Sequence, residues 1–264
     1  MTENGPRFDL GRSTLPRYLA QSRPGYDDMQ QPLTTTYTAK DIQVLEGLEA
    51  VRLRPGMYIG STDQGGLHHL IYEILDNSVD EAMAGFCSLV ELSIDETGLI
   101  SVSDNGRGIP VDIHPTTGKT ALETVLTTLH AGGKFGGGAY KVTGGLHGVG
   151  GSVVNGLSAY LKAEVRRDGW LYYQEFARGH AQGKLVRQEP SASHGTKVSF
   201  RPDPEIFPVI EYDFDMVVNH LKEAAFLNKG LEIRFVSQWH HDQRRGDIER
   251  SYCFDSGIAN LVRN

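Results

Sequence analysis

Apolar residues recur at helical spacing in five stretches of the chain, which are residues 39–54, 66–86, 121–130, 149–161 and 214–227. Positions three and four apart fall on one face of a helix, so each stretch predicts an amphipathic helix. A Pro-Gly pair ends the first stretch at residues 55–56, as is typical of a helix boundary. The RPGMYIG segment at that point is predicted to be an extended connector.

Shorter apolar runs predict strands, which cover residues 89–94, 99–102, 161–166, 170–176, 196–200 and 231–236. The turn residues Asp95–Gly98 join the first two runs into a hairpin. Strands predominate in the second half of the chain and follow one another. This order favours an α+β fold, a two-layer sandwich of a mixed, largely antiparallel sheet with helices on one face, over a strict βαβ alternation.

The two ends of the chain differ from the middle. Residues 1–36 mix Pro, Gly, Arg, Gln and Thr without a sustained period, which predicts a flexible extension. The last stretch, SYCFDSGIANLVRN, begins another strand and helix and then stops. We therefore expect the chain to be a fragment of a longer protein, although a natural end is the alternative.

Charge and composition narrow the function classes. The 264 residues carry a formal net charge of -7, whereas a nucleic-acid-binding domain shows a basic face or stripe, so a simple DNA-binding domain is disfavoured. Cys87 and Cys253 form neither a disulfide framework nor a cysteine zinc site, which fits a reducing cytoplasm. The sequence has no run of about 18 apolar residues, so it predicts no membrane span.

The helix predicted at residues 66–86 has an apolar arc and an acidic arc. At about 100° per residue, the arc expected to face the core contains Leu67, Ile71, Ile74, Leu75, Ser78, Val79, Ala82 and Phe86. The opposite arc contains His69, Glu73, Asp76, Asn77, Asp80 and Glu81. A solvated surface explains this acidic arc, yet it has no Lys or Arg to relieve the repulsion between its carboxylates.

A functional interpretation of the acidic arc rests on Glu73 and Asn77. They are four residues apart, so a carboxylate and an amide oxygen lie one above the other. Glu73 can accept a proton from an attacking water. Asn77 can offer an oxygen to Mg²⁺, which takes one or two protein oxygens together with water and substrate phosphates.

The segment SVSDNGRGIP places a carboxylate at the end of a predicted strand. Asp104 is followed by Gly106 and Gly108, so it can point into a pocket whose floor is bare backbone. An ordinary tight turn accounts for Asp-Asn-Gly equally well. In the functional interpretation, Asp104 accepts a hydrogen bond from an exocyclic amino group, which favours adenine over a keto purine.

Two glycine clusters, AGGKFGGG and GGLHGVGG, end at the helix predicted from residue 149. Bare amides and the helix dipole can bind a phosphate chain there, and a flexible loop is the simpler alternative. Gly118-Lys119-Thr120 is not the end of a P-loop, because Ile113 stands where the first glycine is required. Gly148-Val149-Gly150 is not a dinucleotide fingerprint, because Val153 occupies its third small position.

Four stretches together resemble the ATPase domain of type IIA DNA topoisomerases, a branch of the GHKL ATPases. They are RPGMYIG, EILDNSVDEA, DNGRGIP and HAGGKFGGGAYKVTGGLHGVGGSVVN. The resemblance implies a Bergerat-type ATP-binding fold over residues 37–264. The short E-x-x-x-N and D-x-G-x-G motifs are shared with HSP90-type chaperones, MutL proteins and histidine kinases. A nucleotide-controlled dimerisation module of that kind is the alternative, against which RPGMYIG and the GGLHGVG part of the longest stretch argue.

The resemblance also implies roles for individual residues, with ATP and Mg²⁺ as cofactors. Glu73 would be the general base and Asn77 the Mg²⁺ ligand. The implied nucleotide contacts are Tyr37, Asn77, Asp80, Asp104, Arg107, Gly108, Ile109, Pro110, Lys134, Tyr140, Gly145, Leu146, His147, Gly148, Val149, Gly150 and Thr196. Aminocoumarin inhibitors would contact Asn77, Asp104, Arg107, Arg167 and Thr196.

The same resemblance implies partners and a cycle. ATP would order a glycine-rich lid, Tyr37 would reach across a homodimer, and hydrolysis would drive DNA strand passage in the complete enzyme. The implied partner is DNA gyrase A or its counterpart in topoisomerase IV, and the sequence does not separate the two. Gly151 departs from the family, which usually has a larger residue there. The transducer domain, which supplies a lysine to the γ-phosphate, is absent from the sequence, so weak turnover is expected.

Overall fold

The computed structural model describes residues 47–131 and 148–255, which belong to one compact unit. Its α-helices are α1 (Gly47–Leu53), α2 (Gly56–Ile59), α3 (Gln64–Met83), α4 (Ala121–Thr127), α5 (Gly150–Gly156) and α6 (Phe214–Leu227). Its strands are β1 (Leu89–Ile94), β2 (Ile100–Asp104), β3 (Ser158–Arg167), β4 (Trp170–Ala177), β5 (His180–Ala181), β6 (Val186–Pro190), β7 (Gly195–Pro202), β8 (Glu232–Ser237) and β9 (Glu249–Tyr252). No helix in these two ranges is long and apolar enough to cross a bilayer.

These strands form one nine-stranded sheet with the order β5-β4-β3-β7-β2-β1-β8-β9, and β6 pairs with β4 beside β5. Strands β1 and β8 are parallel, and the other pairs are antiparallel. The predicted hairpin is β1 and β2, with Leu92 opposite Val102. The sheet is therefore mixed and largely antiparallel, as predicted.

One face of the sheet carries the core. In β1, Val90, Leu92 and Ile94 are buried whereas Glu91 and Ser93 are exposed, as expected for side chains that alternate across a strand. Helices α3, α5 and α6 pack on the sheet and α4 packs on α5. The α+β class with helices on one face is confirmed.

More of the surface of α3 is buried than the predicted apolar arc alone. It packs against β1 and β2 and also against α5 and α6, so its neighbours cover more than one face. Asp80, predicted on the solvated arc, is therefore buried at 1% exposure, and His68 and Leu70 are buried as well. Phe86, predicted to face the core, is instead 49% exposed. Gly85, at φ +85°, turns the chain away from the helix before Phe86 is reached.

Several predicted boundaries are wrong. RPGMYIG is not extended, because Pro55 adopts helical angles and directly precedes α2. Proline suits a helix start because its missing N–H has no helical partner there. Helix α5 ends at Gly156 rather than at residue 161, because pairing with β7 takes the chain into β3 from Ser158. Strands β5 and β6 are absent from the prediction.

Candidate active site

Asp104 lies at the end of β2, where its carboxylate accepts three hydrogen bonds. Its Oδ1 accepts from the backbone N–H of Gly106 at 2.8 Å and of Thr196 at 3.2 Å. Its Oδ2 accepts from the Ser78 hydroxyl at 3.1 Å. Burial raises the pKa of Asp104, and these hydrogen bonds oppose that rise. Because each carboxylate oxygen can accept two hydrogen bonds, Oδ2 can take a further donor beyond Ser78.

Two glycines allow the backbone to approach this carboxylate. A Cβ added to Gly106 would lie 2.9 Å from Oδ1 of Asp104 and 3.0 Å from Cγ of Glu81. Gly195 has φ +132°, and a Cβ there would overlap with the carbonyl oxygen of Asp104. These glycines do more than form a turn, because both crowd around Asp104.

The residues after Asp104 form a rim that is tied back to the fold. Arg107 makes a two-pronged ion pair with Glu81, with Nε to Oε2 at 3.0 Å and Nη2 to Oε1 at 2.8 Å. The Arg107 guanidinium also lies 3.9 Å from the centre of the Phe86 ring. Arg107 is therefore held in place on two sides.

Strands β3 and β7 support the next part of the rim. Arg167 donates from Nη1 to the carbonyl of Gly108 at 2.8 Å, and Thr196 Oγ1 accepts from the N–H of Ile109 at 3.2 Å. His194 donates from Nδ1 to the carbonyl of Gly106 at 2.6 Å. Of the predicted inhibitor contacts, Arg107, Arg167 and Thr196 therefore lie around Asp104, and the exposed Pro110 continues the rim.

Glu73 lies in a second cluster, on the same helix. Its Oε1 accepts from His69 Nε2 at 3.0 Å, and this hydrogen bond raises the pKa of His69. Its carboxylate also reaches the first residue of α5. A Cβ added to Gly150 would overlap with Oε2 of Glu73 and would lie 3.0 Å from its Cδ. The predicted base thus stands against the helix start that follows the glycine-rich segment.

Both clusters include residues of α3. Glu73 and Ser78 are five residues apart, so their backbones are separated by about 7.5 Å along the helix axis. Asn77 lies between them and is exposed. Asp80 lies two residues beyond Ser78 on the same helix. In residues 47–131 and 148–255, no group of three or more His, Cys, Asp or Glu residues could hold a metal ion.

Of the predicted lid contacts, Gly148, Val149 and Gly150 lie at the start of α5. The remaining predicted contacts, Tyr37, Lys134, Tyr140, Gly145, Leu146 and His147, lie outside the described residues. His69, Ser78, Glu81 and His194 contact the site but were not predicted as site residues. The spacing of four residues between His69 and Glu73 was the one signal in the sequence that pointed to any of them.

Comparisons with known proteins identify a family that this chain resembles. The family described as "Histidine kinase-, DNA gyrase B-, and HSP90-like ATPase" matches residues 62–206. The DNA gyrase B protein of Synechocystis is 55% identical over 234 residues, which cover 87% of this chain and 21% of that protein. The Thermotoga maritima protein of the same name is 52% identical over 86% of this chain and 35% of its own length.

A solved structure is similar to this chain in fold and in sequence. The 43K ATPase domain of Thermus thermophilus gyrase B, in complex with an aminocoumarin, is similar with a TM-score of 0.72 and 40% identity. The match covers 83% of this chain and 54% of that one. The chain thus spans about a fifth to a third of the length of its gyrase B relatives.

Proposed function

We propose that this chain, which belongs to the family of histidine kinase-, DNA gyrase B- and HSP90-like ATPases, binds and hydrolyses ATP as the gate of a bacterial type IIA DNA topoisomerase. The observation that carries the proposal is the half-buried Asp104 carboxylate, held by three hydrogen bonds beside a glycine-lined rim. It is supported by the resemblance to gyrase B in sequence and in fold.

Asp104 is proposed to recognise adenine. Ser78, Gly106 and Thr196 supply its three hydrogen bonds and leave Oδ2 able to accept one more. The exocyclic amino group of adenine is such a donor, whereas the keto oxygen of guanine is an acceptor and would repel the carboxylate. A buried acceptor that loses its partner costs about 1–3 kcal/mol, which is enough to discriminate between the two purines.

Glu73 is proposed to take the proton of the water that attacks the terminal phosphate. Its carboxylate is partly exposed, so water can reach it, and it faces the start of α5 at Gly150. His69 donates to the same carboxylate and orients it. The contact of Glu73 with a helix N-terminus, which favours phosphate, supports its position next to the phosphate chain.

Mg²⁺ is the proposed metal, with Asn77 as its protein ligand. The donor set fits, because Asn77 is an exposed amide one turn beyond Glu73, and Mg²⁺ needs one or two protein oxygens beside the phosphates. When bound, the ion would neutralise charge on the phosphates. Asn77 would hold the ion one helical turn from Glu73.

The remaining contacts are proposed from the family resemblance. Gly148, Val149 and Gly150 would cradle phosphates, as would Lys134, Tyr140, Gly145, Leu146 and His147. Asp80, Arg107, Gly108, Ile109, Pro110 and Thr196 would line the nucleotide pocket. Aminocoumarins would bind Asn77, Asp104, Arg107, Arg167 and Thr196, since the Thermus gyrase B domain is seen with such a compound.

The wider assembly is also a proposal, because the chain spans only part of its relatives. Residues 37–264 would form the ATPase domain, preceded by a flexible extension. ATP binding would bring two copies together through Tyr37, and hydrolysis would drive strand passage of DNA together with a gyrase A-type protein. A cytoplasmic location follows from that role, and DNA would be bound mainly by other parts of the enzyme.

Calorimetric titration with a non-hydrolysable ATP analogue and Mg²⁺ tests the proposal. We expect binding by the wild type, at least about tenfold weaker binding of the matching GTP analogue, and loss of ATP-analogue binding in Asp104→Asn. Glu175→Gln, at an exposed position on β4, is the matched control and should bind as the wild type does. Equal affinity for the two analogues, or unchanged binding in Asp104→Asn, would refute the role of Asp104.

A further inference from the structure

Helix α6 contacts α3 at two positions along its length. At its start, the N–H of Asp213 donates to Nε2 of His68 at 2.9 Å. Seven residues later, the ring of His220 stacks on Tyr72 with centroids 3.7 Å apart and planes 15° apart. His68 and Tyr72 are one turn apart on α3, so both attachments fall on a single row of that helix.

The proposed base lies on the next row of α3, about 100° further round the helix. His69 follows His68 in the chain, and Glu73 follows Tyr72. The His69–Glu73 pair, at 3.0 Å, is partly exposed, whereas the ring contacts of α3 in the described residues lie on the His68 and Tyr72 row. The attachment to α6 therefore helps to set the position of α3, and with it that of Glu73.

We propose that His220 is a positioning residue for Glu73, which it serves by stacking on Tyr72. This inference rests on the proposed function, because it concerns the base of the ATPase reaction. The motifs that carry the family resemblance do not include His220, which lies on α6, far beyond His69 and Glu73 in the chain. His220 would act through Tyr72 and would touch neither nucleotide nor water.

The charges around His220 favour a neutral ring. Burial lowers the pKa of His220, and the neighbouring His69 lowers it further, whereas Glu223 opposes both. The hydrogen bond to Glu73 raises the pKa of His69. Both burial and His69 thus favour an uncharged His220 ring in the stack with Tyr72. A phenyl ring should replace the imidazole in such a stack.

Removal of the stack should affect chemistry more than binding. Without the His220 ring, α3 loses one of these two attachments to α6 and can shift, which moves Glu73 with the helix. A misplacement of about 1 Å costs up to about 100-fold in rate. Asp104, Ser78 and Thr196 are unaffected, because they hold one another at the other end of α3.

Single-turnover hydrolysis of labelled ATP, with the chain in excess over nucleotide, tests the inference. In His220→Ala we expect the maximal rate to fall at least about fivefold while the half-saturating concentration of the chain stays unchanged. His220→Phe should restore the rate, because it restores the stack. Lys222→Ala, at an exposed position on the same helix, is the control and should match the wild type.

The other outcomes contradict the inference. A wild-type rate in His220→Ala would show that the stack does not position Glu73. Equal losses of rate in the Ala and Phe variants, or weaker nucleotide binding in both, would indicate a general structural role. If His220→Ala unfolds, Tyr72→Leu replaces it and should show the same loss of rate, and a wild-type rate there would overturn the inference. Equal rates in the wild type and in Glu73→Gln would instead refute the proposed function, and the inference would fall with it.

Discussion

Replacing Gly150 by alanine tests how closely α5 approaches the proposed base. A Cβ at residue 150 would overlap with Oε2 of Glu73 and would lie 3.0 Å from its Cδ and 3.1 Å from its Cβ. The carboxylate is the far end of a flexible side chain, so it can swing away while α3 and α5 stay in place. We expect it to move by roughly 1 Å, which costs about 100-fold in rate, or about 2.7 kcal/mol of activation free energy.

The fold should tolerate this substitution even though the reaction does not. Alanine in a helix is favoured over glycine by about 0.5–1 kcal/mol, which offsets part of the crowding against Glu73. Gly151→Ala is the matched control, because the nearest atom to its added Cβ is Cδ2 of Leu126 at 3.4 Å, an ordinary contact. It adds the same methyl group to the same helix without reaching Glu73.

Single-turnover ATP hydrolysis and thermal unfolding, measured on both variants, check the prediction. We expect Gly150→Ala to remain folded and to lose hydrolysis, while Gly151→Ala keeps the wild-type rate. Hydrolysis at the wild-type rate by a folded Gly150→Ala would refute the placement of the reacting carboxylate against α5. Equal losses in the two variants would assign the effect to α5 in general.

Three further predictions concern pH and buried charge. The pKa of Asp104 is raised above the ordinary value of 3.8, so the affinity of the wild type for an ATP analogue should fall as pH drops through that raised pKa. In Asp104→Asn the affinity should be weak and independent of pH. Calorimetry at several pH values checks this. The pKa of His69 is raised above 6.5, so the His69–Glu73 pair stabilises the fold fully below about pH 6.5 and loses this effect as pH rises through the folded-state pKa. Denaturant unfolding should therefore separate the wild type from His69→Gln more at low pH than at high pH, for example at about pH 6 against about pH 8.5, and an equal gap at both would contradict the pairing. Arg52 binds the fully buried carboxylate of Asp203 at 2.8 Å and the last carbonyl of α5 at 2.9 Å. Arg52→Ala should therefore lower the free energy of unfolding by about 1–3 kcal/mol. No change in denaturant unfolding would rule out this anchoring role.

Elements with strong local signals were predictable from the sequence. Helix α6 has the predicted bounds of residues 214–227, because Asp213 caps its first turn and one apolar stripe meets the core. The hairpin of β1 and β2 has clear alternation and a turn fixed by Asp95, whose side chain accepts from the N–H groups of Thr97 and Leu99. In such segments, local pattern and tertiary packing agree.

Features that depend on distant partners were not predictable. Every residue of β6 is exposed, so it carries no apolar pattern, and it forms only because the edge of β4 is available for pairing. Asp80 is buried on a helix that packs against β1, β2, α5 and α6, so a single apolar arc does not indicate its burial. The Ser78–Asp104 hydrogen bond crosses 26 residues of sequence, and no local spacing indicates it.

The central claim is that Glu73 activates the water that cleaves ATP. Its most direct test is to measure ATP-analogue affinity and single-turnover hydrolysis side by side in the wild type and in Glu73→Gln, which keeps the shape of the side chain but removes its basicity. We expect equal affinity in the two proteins and hydrolysis only in the wild type. Hydrolysis by Glu73→Gln at the wild-type rate would contradict the account.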